Sequence, residues 1–501
     1  MNHATGRSAN PDDASPVSGN VTQDAVVIVP GIMGSALRDT ATGRLLWGLS
    51  GTRWLVRAWT GRDGLAALRM TDDELAGRFG RVTATGLLRH SAWTPHLRGF
   101  EPYTALGAAM RRCVPDPAAV LEFAYDWRLP VAVNGRLLAA AARKHLMDWR
   151  AHPAHDAARR LRRDETPARL VFVSHSMGGL VTQAALDPVH DSDLAGDTRA
   201  VLTLGTPFHG AVKAVSILNS GRGTPVPLPH GRLRRLCATM PGLHDLLPRY
   251  TCVLEGASAR RLTPGDVAGI GGDPDLARLA ADDAVRREAV ALPGHHAVVG
   301  VRQETTQSLS IDGGVVHAHC HTVRRHSDDS FIRHPDGRLA TFDCEGDGTV
   351  STESAALGAF TTPLPLQHGA VAADPFAMDA LAELVRGDRH LGPPMGGAGC
   401  GLDTPDLAEA GSPWTMTIRG PASPSGVTCR VERLDGTELP PARLSLHNRR
   451  LTATVRADEP GLYRVTVRSR DNSRVSQLVL VAPPGGAEAD GNEDTSPDQP
   501  W

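Results

Sequence analysis

Short apolar runs bounded by glycine- or proline-containing turns recur between about residues 24 and 392. They are Ala25–Val29, Val120–Ala124, Leu170–Val173, Arg199–Leu204 and His296–Val301. Each is rich in valine, leucine or isoleucine. Apolar positions that do not alternate with polar ones predict strands buried on both faces, the pattern of a parallel sheet covered by helices. Helical spacing fills several of the gaps: Phe100–Arg112, a segment capped by Asn134 and running to about Trp149, and Leu180–Leu186. Leu137, Leu138, Ala141 and Leu146 give the second of these an apolar side, which His145 shares.

From Pro413 the period changes. Thr415–Ile418, Val427–Val431, Arg443–Leu446, Leu451–Val455, Tyr463–Val467 and Gln477–Val481 alternate at period two between turn signals. This predicts a small all-β sandwich, immunoglobulin-like, over residues 413–483. A Gly- and Pro-containing stretch, 393–412, reads as the linker to it. The polar start, 1–23, and the acidic end, 484–501, read as disordered. Two long excursions interrupt the strand rhythm, at about 38–99 and 211–294, and both read as cap or lid insertions. The first carries Trp47, Trp54, Trp59 and Trp93 and shows little periodicity. Its tryptophans are expected to be packing residues.

The most informative junction is Leu170-Val171-Phe172-Val173-Ser174-His175-Ser176-Met177-Gly178-Gly179. A buried strand runs through a very tight turn into a helix, the setting of a nucleophile elbow. Such a turn needs small residues two before and two after the nucleophile. Here they are Ser174 and Gly178, with Ser174 where the usual pattern has glycine. Ser176 is therefore the candidate nucleophile. Val29 runs into Pro30-Gly31-Ile32-Met33-Gly34-Ser35, a turn whose glycines let the backbone approach a ligand. The N–H groups of Ile32 and Met177 are the candidate oxyanion donors. Downstream, Asp343-Cys344-Glu345-Gly346-Asp347-Gly348 offers three carboxylates. Asp347 is favoured by its flanking glycines, with Asp343 and Glu345 as competitors. His368 follows, in Leu366-Gln367-His368-Gly369. The chain order Ser, acid, His is that of α/β-hydrolases.

Other polar positions take plainer readings. Asp126 and Arg128 read as an ion pair orienting a loop at a strand end. His209 is placed in a pocket or lid. The histidines of 303–338, among them His317, His319 and His321, lack the spacing of a strong zinc site. No metal and no cofactor is expected.

The formal net charge of −2 gives no reason to expect a nucleic-acid partner. Seven cysteines without a C-x-x-C pair suggest free, mostly buried thiols, a secreted form with one or two disulfides being the alternative. Neither a signal peptide nor an apolar stretch of spanning length is visible, so the expected location is cytoplasmic.

Five segments, in order, resemble the lecithin:cholesterol acyltransferase-like α/β-hydrolases, a family that includes lysosomal phospholipase A2 and phospholipid:diacylglycerol acyltransferase. They are Val29–Ser35, Tyr125-Asp126-Trp127-Arg128, Ser174–Gly179, Leu204-Gly205-Thr206-Pro207 and Gly346–Val350; Leu246-Leu247-Pro248 also looks like the family's segment before the lid. The resemblance covers roughly residues 24–390. It implies an α/β-hydrolase fold, Ser176, Asp347 and His368 as catalytic residues, and the Ile32 and Met177 amides as oxyanion hole. It further implies an acyl-ester substrate, often a phospholipid, and contact with lipid or a membrane surface. Neither the disulfide framework nor the export signal of the family's extracellular members is evident in the sequence. For the sandwich, docking of a protein partner and a passive role are both expectations. The alternative to catalysis is a hydrolase-like fold used only for recognition.

Overall fold

The computed structural model describes residues 21–48, 65–88, 102–160, 166–221, 230–358, 360–387, 401–405, 407–419, 423–433, 435–447, 450–469 and 474–483. Its centre is a six-stranded sheet of β1 (Ala25–Val29), β2 (Val120–Glu122), β3 (Leu170–His175), β4 (Thr198–Leu204), β5 (His296–Gly300) and β6 (Phe360–Leu364). The strands lie in the order β6-β5-β4-β3-β1-β2, and every neighbouring pair is parallel. Every residue of β1 and β3 is buried, which is why their sequences are continuous apolar runs. The order reverses at β1: β2 pairs on one side of it and β3 on the other. In an open α/β sheet this switch point, at the carboxyl ends of the strands, is where ligands bind. The β1–β3 register pairs Val29 with Ser174. The turn after β1 and the turn after β3 therefore leave the sheet side by side.

Helix Val131–Arg150 packs against helix Met177–Ala185, the one that follows β3. A Cβ at Gly135 would sit 2.5 Å from the Ala184 Cβ, so glycine is required where the helices meet. Asn134 does not cap this helix as expected. The helix starts at Val131, with Pro130 at the cap position. The Asn134 amide instead donates back to the Asp126 and Leu129 carbonyls, at 3.0 and 3.4 Å.

The described residues of the first excursion, 38–48 and 65–88, are more regular than the sequence suggested. Ser35–Asp39, Leu45–Trp47 and Val82–Leu87 form a three-stranded antiparallel sheet. Asp72–Leu75 is a short helix closed by a Thr71–Glu74 capping box. Trp47 is buried, edge-on to Trp127; Trp54, Trp59 and Trp93 lie outside the described residues. The second excursion carries helices Val212–Ser220, His230–Cys237 and Pro274–Glu288 and a hairpin, Thr251–Glu255 with Ser258–Arg261. That hairpin joins the hairpin Ser308–Asp312 with Val315–His319 through Leu309 opposite Val253. The histidine-rich stretch thus begins in the same layer as the insertion.

The C-terminal part is two four-stranded sheets around one core that includes Met416, Ile418, Val431, Leu451, Tyr463 and Val479. The expected linker extends too far. Gly401–Asp403 pairs antiparallel with Pro413–Arg419, and Leu407–Glu409 pairs parallel with Arg474–Ala482. Three-residue strands are too short to show alternation in a sequence. The Tyr463 hydroxyl donates to the Glu459 carbonyl at 2.9 Å, the tyrosine corner of immunoglobulin-like sandwiches. Six cysteines, Cys113, Cys237, Cys252, Cys320, Cys344 and Cys429, are free, and Cys400 lies outside the described residues. Among the described residues, no helix is long and apolar enough to cross a membrane.

Candidate active site

Ser176 sits between β3 and its helix at φ 53° and ψ −128°. A non-glycine residue holds such a conformation only where its surroundings enforce it. The enforcing contacts are close. A Cβ on Gly178 would lie 2.4 Å from the Val29 oxygen and 2.5 Å from the Pro30 oxygen. A Cβ on Gly179 would lie 2.1 Å from Thr206 Oγ1. Ser174, in place of glycine, points away from the turn, and its hydroxyl meets Thr182 Oγ1 at 2.7 Å in the core.

His368 lies on the turn after β6, with Nε2 2.8 Å from Ser176 Oγ. Its Nδ1 is 2.7 Å from Asp347 Oδ2. The Asp347 carboxylate is buried, and its other oxygen accepts the Thr349 and Val350 N–H groups at 2.9 and 2.7 Å. The His368 N–H also donates to the Asp347 carbonyl at 2.9 Å. Space is kept for this pair by Gly205, where a Cβ would fall 2.7 Å from Asp347 Oδ2, and by Gly300, where it would fall 2.4 Å from the Asp347 Cβ. The competing acids stand elsewhere. Asp343 and Glu345 are exposed, and Asp343 accepts from Gln307 and from the Glu345 N–H.

The turn after β1 packs on the elbow, a Gly31 Cβ being only 2.8 Å from the Ser176 Cβ. Met177 opens the helix, where N–H groups have no intrahelical acceptor. Among the described residues, neither the Ile32 nor the Met177 amide donates to a protein acceptor. Tyr125-Asp126-Trp127-Arg128 clamps this turn from the neighbouring strand. The Tyr125 hydroxyl donates to the Pro30 carbonyl at 2.7 Å, and the Trp127 indole to the Ser35 carbonyl at 3.1 Å. Arg128 is buried with Asp126 at 2.7 Å and Glu74 at 2.8 Å. Burial alone would raise the Glu74 carboxyl, but hydrogen bonds from Arg128 and Arg81 outweigh it and hold the group below its ordinary range.

The sequence did not point to Glu74, Tyr103 or the ring of His175 as parts of this site. Tyr103 accepts the Gly31 N–H at 2.7 Å and meets His175 Nδ1 at 2.9 Å. No local pattern links residues this far apart. His209 borders a cavity of about 170 Å³ with Tyr250, Gln307 and Cys344, outside the Ser176–His368–Asp347 chain. Burial, and then Arg249, lower its pKa. Among the described residues, no group of three His, Cys, Asp or Glu is placed to hold a metal ion.

The family model for lecithin:cholesterol acyltransferase matches residues 115–263. Comparison with the curated proteins finds no match. Among solved structures, the chain is similar to that of a Tle4–Tli4 complex, with 16% identity and a TM-score of 0.44, over 74% of this chain and 99% of that one. It is similar to the mature Bacillus licheniformis lipase BlEst2, with 13% identity and a TM-score of 0.33, over 74% of this chain and 96% of that one. The Lin-41 filamin domain is similar over 17% of this chain and 95% of its own, with 11% identity and a TM-score of 0.16. By its parallel sheet and its strand–turn–helix elbow the chain has an α/β-hydrolase fold, and over residues 115–263 it is similar to the lecithin:cholesterol acyltransferase family.

Proposed function

We propose that the chain is a serine hydrolase or O-acyltransferase acting on lipid acyl esters through an acyl-Ser176 intermediate. The observation that carries this reading is the unbroken hydrogen-bonded chain from Ser176 Oγ through His368 to the buried Asp347. A serine hydroxyl is a weak nucleophile until a base takes its proton. His368 Nε2 takes that proton as Oγ attacks the ester carbonyl. Asp347 holds Nδ1–H in place and stabilises the imidazolium. Negative charge gathers on the carbonyl oxygen, where the Ile32 and Met177 N–H groups stabilise it, each donor contributing about 3 kcal/mol. The alkoxide leaves with the proton from His368, and the acyl group stays on Ser176. Water, or an acceptor hydroxyl, then attacks the acyl group by the same steps in reverse. Lipid as substrate class rests on the family match.

A fluorophosphonate probe tests the reading. Wild type is expected to label and Ser176→Ala to stay unlabelled, with phospholipid vesicles and short-chain esters then compared as substrates. Absence of labelling above the Ser176→Ala control overturns the enzyme reading in favour of recognition alone. Turnover of short-chain esters with none of phospholipid or neutral lipid overturns the lipid assignment and leaves the esterase.

A further inference from the structure

A second hydrogen-bonded chain runs through the site, from the Gly31 N–H to the Tyr103 oxygen (2.7 Å), on to His175 Nδ1 (2.9 Å), and from His175 Nε2 to the His368 carbonyl (3.0 Å). The direction of each bond follows from its two ends. A backbone N–H only donates, so Tyr103 accepts from Gly31 and sends its single proton to His175 Nδ1. A carbonyl only accepts, so His175 Nε2 carries the ring proton and donates to His368. One tautomer of a neutral His175 satisfies every group. An imidazolium would put an N–H against the Tyr103 oxygen and leave the phenol proton without its acceptor. Tyr103 is 2% and His175 5% exposed, so water cannot substitute freely. Burial, and then the neighbouring His368 ring at 5.0 Å, push the His175 pKa down to about 3.

The ends of this chain matter. Gly31 immediately precedes Ile32, the proposed oxyanion donor. The other end is the main chain of His368, the proposed base. His175 itself immediately precedes Ser176. We infer that Tyr103 and His175 are positioning residues that tie the oxyanion turn and the base's backbone to the elbow, so that the hole and the relay stay in mutual register. Neither touches the reacting atoms; both act through Gly31 and His368. The inference rests on the catalytic roles proposed for Ile32 and His368. It assigns work to a histidine that the motif leaves open and to a tyrosine from a distant helix. Misplacing a catalytic group by about 1 Å can cost on the order of a hundredfold in rate.

The test is a double-variant cycle on ester hydrolysis. Tyr103→Phe removes one oxygen. His175→Asn keeps an acceptor near the Nδ1 position and removes the donor to the His368 carbonyl. Each is expected to lower kcat about ten- to a hundredfold while KM stays within about twofold. The double variant is expected to be no worse than about the poorer single one, because both cut the same connection. Folded single variants with wild-type kcat, or losses that multiply in the double variant, overturn the inference. Should the variants fail to fold, ¹⁵N NMR of wild-type His175 decides: a neutral Nε2–H ring that does not titrate between pH 5 and 8 supports it. An Nδ1–H ring, or an imidazolium in that range, overturns it. Fluorophosphonate labelling of wild type separates the two readings: a chain that labels but fails the cycle loses this inference and keeps its proposed activity.

Discussion

Replacing Arg128 by methionine is the sharpest probe of how the excursion after β1 is tied to the sheet. The guanidinium is fully buried. It reaches Asp126 Oδ2 at 2.7 Å, Asp126 Oδ1 at 3.0 Å, Glu74 Oε1 at 2.8 Å and the Leu68 carbonyl at 3.1 Å. Methionine matches part of its volume and carries no charge. Breaking a buried pair by removing one partner typically costs 3–5 kcal/mol, because the remaining charge is left in a medium that solvates it poorly. Here two carboxylates remain. Glu74 keeps Arg81 at 2.8 Å and the Thr71 N–H at 3.0 Å. Asp126 keeps the Arg128 N–H on Oδ1, and both of its oxygens lose the guanidinium. The expected loss is therefore near the lower end, about 3 kcal/mol at pH 7. Linkage fixes the pH dependence. The folded-state pKa of Glu74 lies below its ordinary 4.5. Its contribution is thus fully present above that value and disappears as pH falls through the folded pKa. The gap between wild type and Arg128→Met is expected to narrow as pH falls below about 4.5. Urea unfolding followed by circular dichroism gives the gap at each pH. Hydrogen exchange of peptides within 65–88 shows whether the loss is local. A difference below about 1 kcal/mol at pH 7, or one unchanged at acid pH, would refute the reasoning.

Asp347→Asn is expected to lower kcat by about four powers of ten, because an amide N–H facing Nδ1 selects the wrong tautomer; Asp343→Asn is expected to match wild type, and the reverse result in an ester assay would transfer the acid role. Gly178→Ala is expected to cost about 1–3 kcal/mol in urea unfolding and to reduce kcat, since its methyl would press on the Val29 and Pro30 carbonyls that lead into the turn proposed to carry the oxyanion donor. A variant equal to wild type in both measurements would show that the elbow yields more than its spacing suggests. Tyr463→Phe removes the hydroxyl bond to the Glu459 carbonyl and is expected to cost about 0.5–1.5 kcal/mol in the transition of the C-terminal sheets, with ester turnover unchanged.

What could be read from the sequence follows from how each element is buried. β1 and β3 are enclosed on both faces, so their apolar runs stand out without reference to any partner. The elbow was legible because its strand, its tight turn and its small residues are contiguous along the chain, although the atoms that Gly178 and Gly179 must clear, the Pro30 carbonyl and Thr206, come from elsewhere. Leu45–Trp47, Gly401–Asp403 and Leu407–Glu409 were not legible, since three residues carry no period and the partner strand alone makes them strands. The limit is plainest at Asp126 and Arg128. Two residues apart, they announce an ion pair, but the second carboxylate comes from Glu74, 54 positions away, where it also closes the Thr71–Glu74 capping box. The same side chain thus serves a local rule and a distant charge, and only the local half can be read along the chain. Tyr103 is the extreme case. Its helix has an ordinary pattern, and its hydroxyl finds Gly31 and His175 only because β1 and β3 are neighbours at the point where the strand order reverses. Groups brought together by topology leave no mark in the spacing of residues. A sequence reading of this chain therefore reaches the members of the Ser176–His368–Asp347 chain, which follow an order along the polypeptide, before it reaches the residues that hold them.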